Sequence, residues 1–187
     1  MPSLSTVAPL PEVTVPLSRF VPPPYRHYFS GRPECPNYKR RRFDFCGEAA
    51  MMPLVRAFLD TCAADQGREY RYLFTLLGSE LATNALRHTR SGTPDGVYTL
   101  LAERFPTGLR LTCRDDGDLG TDRFRVTAER RHLSPDPAGY DPQSESGRGL
   151  LLVDALSTAW GDNGWSNHRH VWFYLAYDLE HSAWPTT

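Results

Sequence analysis

Apolar residues between positions 41 and 177 fall into stretches with two different rhythms, and those rhythms predict most of the elements. Alternation puts every second side chain on one face of a strand. It runs through RRFDFCG (41–47), with Phe43 and Phe45 on the same side. It returns at 97–105 and 108–114, two strands joined by a tight Pro106-Thr107-Gly108 connection, and in the closing segments 158–161 and 171–177. A helical rhythm governs 48–64, where Met51, Met52, Val55, Phe58, Leu59 and Cys62 form the apolar side, and Pro53 fits only in the first turn. The same rhythm covers 69–88, and a shorter helix occupies 150–156, directly behind Gly147-Arg148-Gly149. Thr93-Pro94-Asp95-Gly96 is a turn. From 118 to 146 the pattern dissolves into charges, glycines and prolines. A stretch of that length without its own periodicity reads as a mobile lid.

Strands therefore come in adjacent pairs and helices do not alternate with them. That order predicts an α+β fold, a two-layer sandwich whose mostly antiparallel sheet is covered on one face by about three helices. It excludes a doubly wound nucleotide fold. The organisation expected is a proline-rich extension at 1–38, one domain at 39–180 and a short tail at 181–187.

Composition changes this picture at one end. Residues 1–38 hold nine of the 16 prolines, including Pro22-Pro23-Pro24, so the segment is expected to be extended or disordered. Its aromatics Phe20, Tyr25, Tyr28 and Phe29 are available to dock on the domain or on a partner. The basic run at 39–42 reads as a solvated strand start, with a phosphate contact the alternative. A net charge of -1 gives no general pull toward nucleic acid or an anionic membrane. No segment is long or apolar enough to span a bilayer, and no signal peptide is evident. The four cysteines form no CxxC pair and read as reduced thiols of a cytoplasmic protein.

Candidate chemistry sits in three motifs. In SELATNALRH, Glu80, Asn84 and His88 are spaced four apart on an otherwise apolar helix, which puts a carboxylate, an amide and an imidazole on one stripe. An asparagine oxygen suits magnesium, which prefers oxygen ligands and keeps substrate phosphates and waters in its shell. Glu80 is placed to hold a water or accept a hydroxyl proton, and His88 to reach a phosphate or ribose. In Arg114-Asp115-Asp116-Gly117, an ionised Asp115 accepts hydrogen bonds only, which selects the exocyclic amine of adenine, and Gly117 lets the backbone approach the base. In ESGRGLLLV, Gly147 and Gly149 open amides toward an anion at a helix start, with Arg148 available to pair with phosphate and Leu150 following. This is neither a Walker loop nor a dinucleotide fingerprint. Taken singly, each motif is also an ordinary polar stripe, turn or hinge.

Together, SELATNALRH, the strand-end RDDG, ESGRGLLLVDAL and the closing AWG…VWFYL resemble the GHKL ATPase superfamily of gyrase, chaperone, histidine-kinase and mismatch-repair ATPase domains. The resemblance is strongest to bacterial anti-sigma-factor serine/threonine kinases and the ATP-binding regulators abundant in actinomycetes. It covers about residues 40–178. It implies ATP and Mg2+ as cofactors, Asn84 as the metal-binding asparagine and Glu80 as the catalytic glutamate. It further implies Asp115 and Gly117 in the adenine pocket, Gly147, Gly149 and Leu150 behind the ATP lid, and His88 near phosphate. Gly120 replaces a tidier glycine pair at the lid opening, and His170 stands where a threonine commonly supports the adenine-binding aspartate. The implied partners are an anti-sigma-factor antagonist, which would be phosphorylated, and a sigma factor, which would be bound; a homodimer is compatible with the resemblance. Two other readings are a nucleotide-gated module that sequesters a partner without phosphorylating it, and a detached sensor-kinase domain that phosphorylates histidine.

Overall fold

The computed structural model describes residues 21–30, 38–120, 130–135 and 148–184. Five strands form one antiparallel sheet: β1 (Arg40–Cys46), β2 (Val97–Phe105), β3 (Gly108–Asp115), β4 (Ala159–Asp162) and β5 (Arg169–Ala176), in the order β1-β2-β3-β5-β4. Three helices, α1 (Met52–Cys62), α2 (Arg68–His88) and α3 (Arg148–Leu156), lie on one face of it. The fold is the expected α+β sandwich. Among the described residues no helix is long and apolar enough to cross a membrane.

Strand parity builds the core. Phe43, Leu100, Cys113 and Val171 line up across the sheet by register, as do Arg41, Ala102, Leu111 and Phe173. All of these except Phe43 are buried against the helices. On α2, Tyr70, Leu73, Phe74, Leu77, Leu81 and Ala85 are buried, a helical spacing that turns one stripe to the sheet. Gly78 sets how closely α2 approaches: a Cβ there would stand 2.7 Å from the Leu59 methyls of α1 and 2.9 Å from Leu111 of β3. A mid-helix glycine costs about 1 kcal/mol in propensity, a cost offset here by close packing on both sides.

Tyr70 fixes the longitudinal position of α2. Its hydroxyl donates to the Leu175 carbonyl at 2.7 Å and accepts from the Leu109 amide at 3.2 Å. From Tyr70 to Asn84 a helix rises about 21 Å. From Leu109 to Asp115 a strand rises about 20 Å. Pinning one pair of ends therefore brings Asn84 level with Asp115.

Within the N-terminal arm, expected to be extended or disordered, the described residues 21–30 depart from that expectation. Pro23–Phe29 forms a 3-10 helix, because Val21 and Phe29 find burial on the domain. The Phe29 ring packs 5.0 Å from Phe43 and 6.0 Å from Phe58, centroid to centroid. The basic run at 39–42 divides by parity. Arg41 turns inward, donates to the Thr61 carbonyl at 3.2 Å and lies over the Tyr38 ring at 4.1 Å. Arg40 and Arg42 face outward and pair with Glu103 and Asp44. At the other end, the Ala183 amide donates to the Ala155 carbonyl at 3.0 Å, and Trp184 packs 5.7 Å from Tyr72. Cys46, Cys62 and Cys113 are free thiols, and Cys35 lies outside the described residues.

Candidate functional site

A cavity of about 370 Å³ opens between the C-terminal half of α2, the ends of β3 and β5, the start of α3 and residues 133–135. Its apolar wall comes from Leu81, Ala85, Cys113, Leu133, Leu150 and Val171, and its polar groups include Asn84, His88, Asp115 and Arg169. The volume lies within the range of small-ligand sites. Three sequence motifs, from α2, the end of β3 and the start of α3, thus meet at one place.

Asn84 and His88 lie on the wall one helical turn apart. Glu80, a turn earlier, stands beside the cavity at the start of α3. A Cβ on Gly149 would sit 2.6 Å from the Glu80 Oε2, 3.4 Å from the Asn84 Oδ1 and 3.5 Å from its Nδ2. The carboxylate and the amide converge on that point, and a side chain there would have to displace the end of Glu80. Burial raises the affinity of Glu80 for its proton, with Arg87 opposing. Among the described residues, neither the Glu80 carboxylate nor the Asn84 amide has a hydrogen-bond partner, and no three His, Cys, Asp or Glu side chains converge as a metal cage. A neutral amide oxygen beside a carboxylate is a donor set that suits Mg2+ completed by phosphate oxygens and water.

Asp115, at the end of β3, lines the same cavity. Burial pushes its carboxyl up to about 6, against the Gly117 amide and Arg169, which both favour the ionised form. Gly117 does not line the cavity. Its φ of +75 turns its amide back to donate to the Asp115 Oδ1 at 2.8 Å, and a Cβ there would strike the Ser166 carbonyl at 2.2 Å. Gly117 therefore orients the aspartate through its amide. Gly120 stands in open space. Gly147 and the Arg148 side chain lie outside the described residues, as do 121–129 and 136–147 of the expected lid.

His170 is a correction. Register pairs it with Arg114, while Asp115 is paired with Arg169. Alternation sends His170 to the far face of the sheet and Arg169 into the cavity. Arg169 then grips Asp118 with both terminal nitrogens, at 3.0 and 3.1 Å.

Several positioning residues escaped the sequence reading. Arg90, just past α2, donates to the carbonyls of Asp116, Asp118 and Asn167, and its own amide donates to the Gly117 carbonyl at 2.9 Å. Buried Ser91 accepts from the Asp116 amide at 3.0 Å and donates to the Val97 carbonyl at 2.6 Å. Together they hold the Asp115 turn to the end of α2. Asp162 holds the 130–135 segment: its carboxylate bonds the His132 Nδ1 at 2.7 Å and accepts from the Leu133 amide at 3.2 Å. The signal for Arg169 was present, since it shares parity with Val171, Phe173 and Leu175. The contacts of Arg90 run to backbone carbonyls and leave no residue pattern.

The model of the histidine kinase-like ATPase domain family matches residues 48–161, more than half of the chain. The chain belongs to that family. The matched segment takes in α2, the Asp115 turn and α3, which supply most of the cavity wall. Membership of this GHKL-type family supports ATP binding. No curated protein matches the chain.

Proposed function

We propose that this histidine kinase-like ATPase domain is a regulatory serine/threonine kinase of the anti-sigma-factor type. It binds Mg-ATP in the cytoplasm, phosphorylates an anti-sigma-factor antagonist and binds a sigma factor. The observation that carries the reading is the convergence of Glu80 and Asn84 on Gly149 beside a cavity that Asn84 and Asp115 both line.

Each residue has a task that its chemistry suits. The Asp115 carboxylate accepts from the adenine amine and rejects bases that present an acceptor there. Leu81, Ala85, Leu150 and Val171 give the base apolar walls. The first amides of α3 donate to phosphate oxygens, aided by the helix field. The Asn84 oxygen holds Mg2+, which when bound neutralises phosphate charge. Glu80, whose carboxylate is made more basic by burial, orients the acceptor hydroxyl and takes its proton. His88 lies near enough to the same wall to steady ribose or phosphate. The sequestration reading rests on His170 and on the altered lid; the far-face position of His170 leaves it with the lid alone.

Phosphotransfer from labelled ATP to a panel of candidate antagonists tests the proposal. Wild-type protein is expected to give an acid-stable phosphoprotein. Glu80→Gln is expected to keep ATP affinity while slowing transfer by about 100-fold or more. An acid-labile product points to histidine phosphorylation instead, and unimpaired transfer by Glu80→Gln contradicts the role of that carboxylate.

A further inference from the structure

The sheet face turned away from the cavity carries a cluster that the nucleotide site does not use. Arg110, Thr112 and Arg114 of β3 point outward beside Tyr174, Trp172 and His170 of β5. Trp172 lies against Gly161 of β4, where a Cβ would stand 3.0 Å from the indole. Arg110 stacks on that indole, its guanidinium carbon 4.5 Å from the ring centroid. Nearer β1 the cations are neutralised, Arg40 by Glu103 at 2.7 Å and Arg42 by Asp44 at 3.2 Å. Among the described residues Arg110 and Arg114 have no carboxylate partner. His170 adds no charge to the cluster: burial, and then Arg114 and His168, hold its imidazole below the usual histidine range. Arginine and tryptophan side by side are the residue types that dominate binding hot spots.

We propose that this outer face docks an acidic segment of a protein partner, with carboxylates on Arg110 and Arg114 and an apolar side chain against Trp172. Guanidinium forks match carboxylates in a bidentate way. A polynucleotide is disfavoured by the net charge of -1, which supplies no attracting field around the patch. Arg110 and Arg114 lie about 13 Å apart along their strand. Acidic residues at i and i+8 of a helix are about 12 Å apart, with i+4 midway on the same side. The proposal concerns a different face from the ATP cavity and stands whether or not the chain transfers phosphate.

Fluorescence anisotropy with the full chain tests it. The probe is a labelled helical peptide with Glu, Leu and Glu at i, i+4 and i+8 in an alanine-glutamine background. A Lys-Leu-Lys counterpart and a thymidine oligonucleotide serve as comparison probes. The acidic peptide is expected to bind, the lysine peptide not to bind, and R110E/R114E to weaken binding by about tenfold or more while ATP affinity stays unchanged. Trp172→Ala is expected to weaken it as well. If the double variant loses the wild-type circular dichroism, Arg114→Glu alone, on an exposed side chain, is expected to lose about threefold or more. The proposal is overturned by no binding of the acidic peptide, by binding indifferent to these substitutions, or by tighter binding of the oligonucleotide. Self-association of the chain that the same substitutions abolish overturns it too.

Discussion

Asp115→Asn is expected to make the protein more stable and less able to bind adenosine. Asp115 is a carboxyl whose ordinary value is 3.8, pushed up to about 6 chiefly by burial. The folded chain therefore disfavours the ionised form relative to the unfolded chain. At about 1.36 kcal/mol per pH unit, the difference corresponds to a destabilisation on the order of 2–3 kcal/mol. That cost is fully present above pH 6, shrinks as pH falls toward 3.8, and is absent below. Asparagine keeps the acceptor for the Gly117 amide, which donates to Oδ1 at 2.8 Å, and removes the charge. Urea unfolding is thus expected to show a gain of about 2 kcal/mol or more at pH 7.5 and less than about 1 kcal/mol at pH 4. A hydrogen bond to a charged acceptor contributes about 1.5–3 kcal/mol, so calorimetry should find adenosine bound tenfold to a hundredfold more weakly. Wild-type affinity for adenosine, which carries no phosphate to titrate, should fall as pH drops through about 6. A variant destabilised at pH 7.5, or one equally stabilised at both pH values with adenosine affinity intact, refutes this reasoning.

Gly149→Ala should leave the fold within about 1 kcal/mol, because the side chain it meets is the movable end of Glu80 at 2.6 Å, yet it should slow phosphotransfer about tenfold; urea unfolding and a turnover assay check both halves. Arg90→Met removes the donors to three carbonyls and should cost about 3 kcal/mol in unfolding free energy while weakening adenosine binding, measured by denaturation and calorimetry. Phe29→Ala should cost about 3 kcal/mol by emptying the aromatic contact with Phe43 and Phe58, and should leave ATP affinity unchanged in the same measurements.

The sequence disclosed what depends on periodicity. The long helix read at 69–88 is α2 at Arg68–His88, and the alternation at 97–105 and 108–114 is the β2–β3 hairpin. Patterns failed where tertiary contact overrides local preference. Prolines imply an extended arm, yet residues 23–29 wind into a 3-10 helix because Phe29 gains burial among other rings. Reading β5 from Val171 left Arg169 outside the strand and obscured the parity that carries it into the cavity and His170 away from it. The strand end is polar because it lines a site, so hydrophobic rhythm stops short of it. Arg90 and Ser91 act on backbone groups brought together by the fold, which no spacing in the chain records.

A crystal structure with magnesium and a non-hydrolysable ATP analogue tests the central claim most directly. It should show the adenine amine within hydrogen-bond distance of the Asp115 carboxylate and the metal on the Asn84 amide oxygen, with Glu80 facing the terminal phosphate. An analogue bound away from α2, or one whose base and phosphates leave either Asp115 or Asn84 untouched, would contradict it.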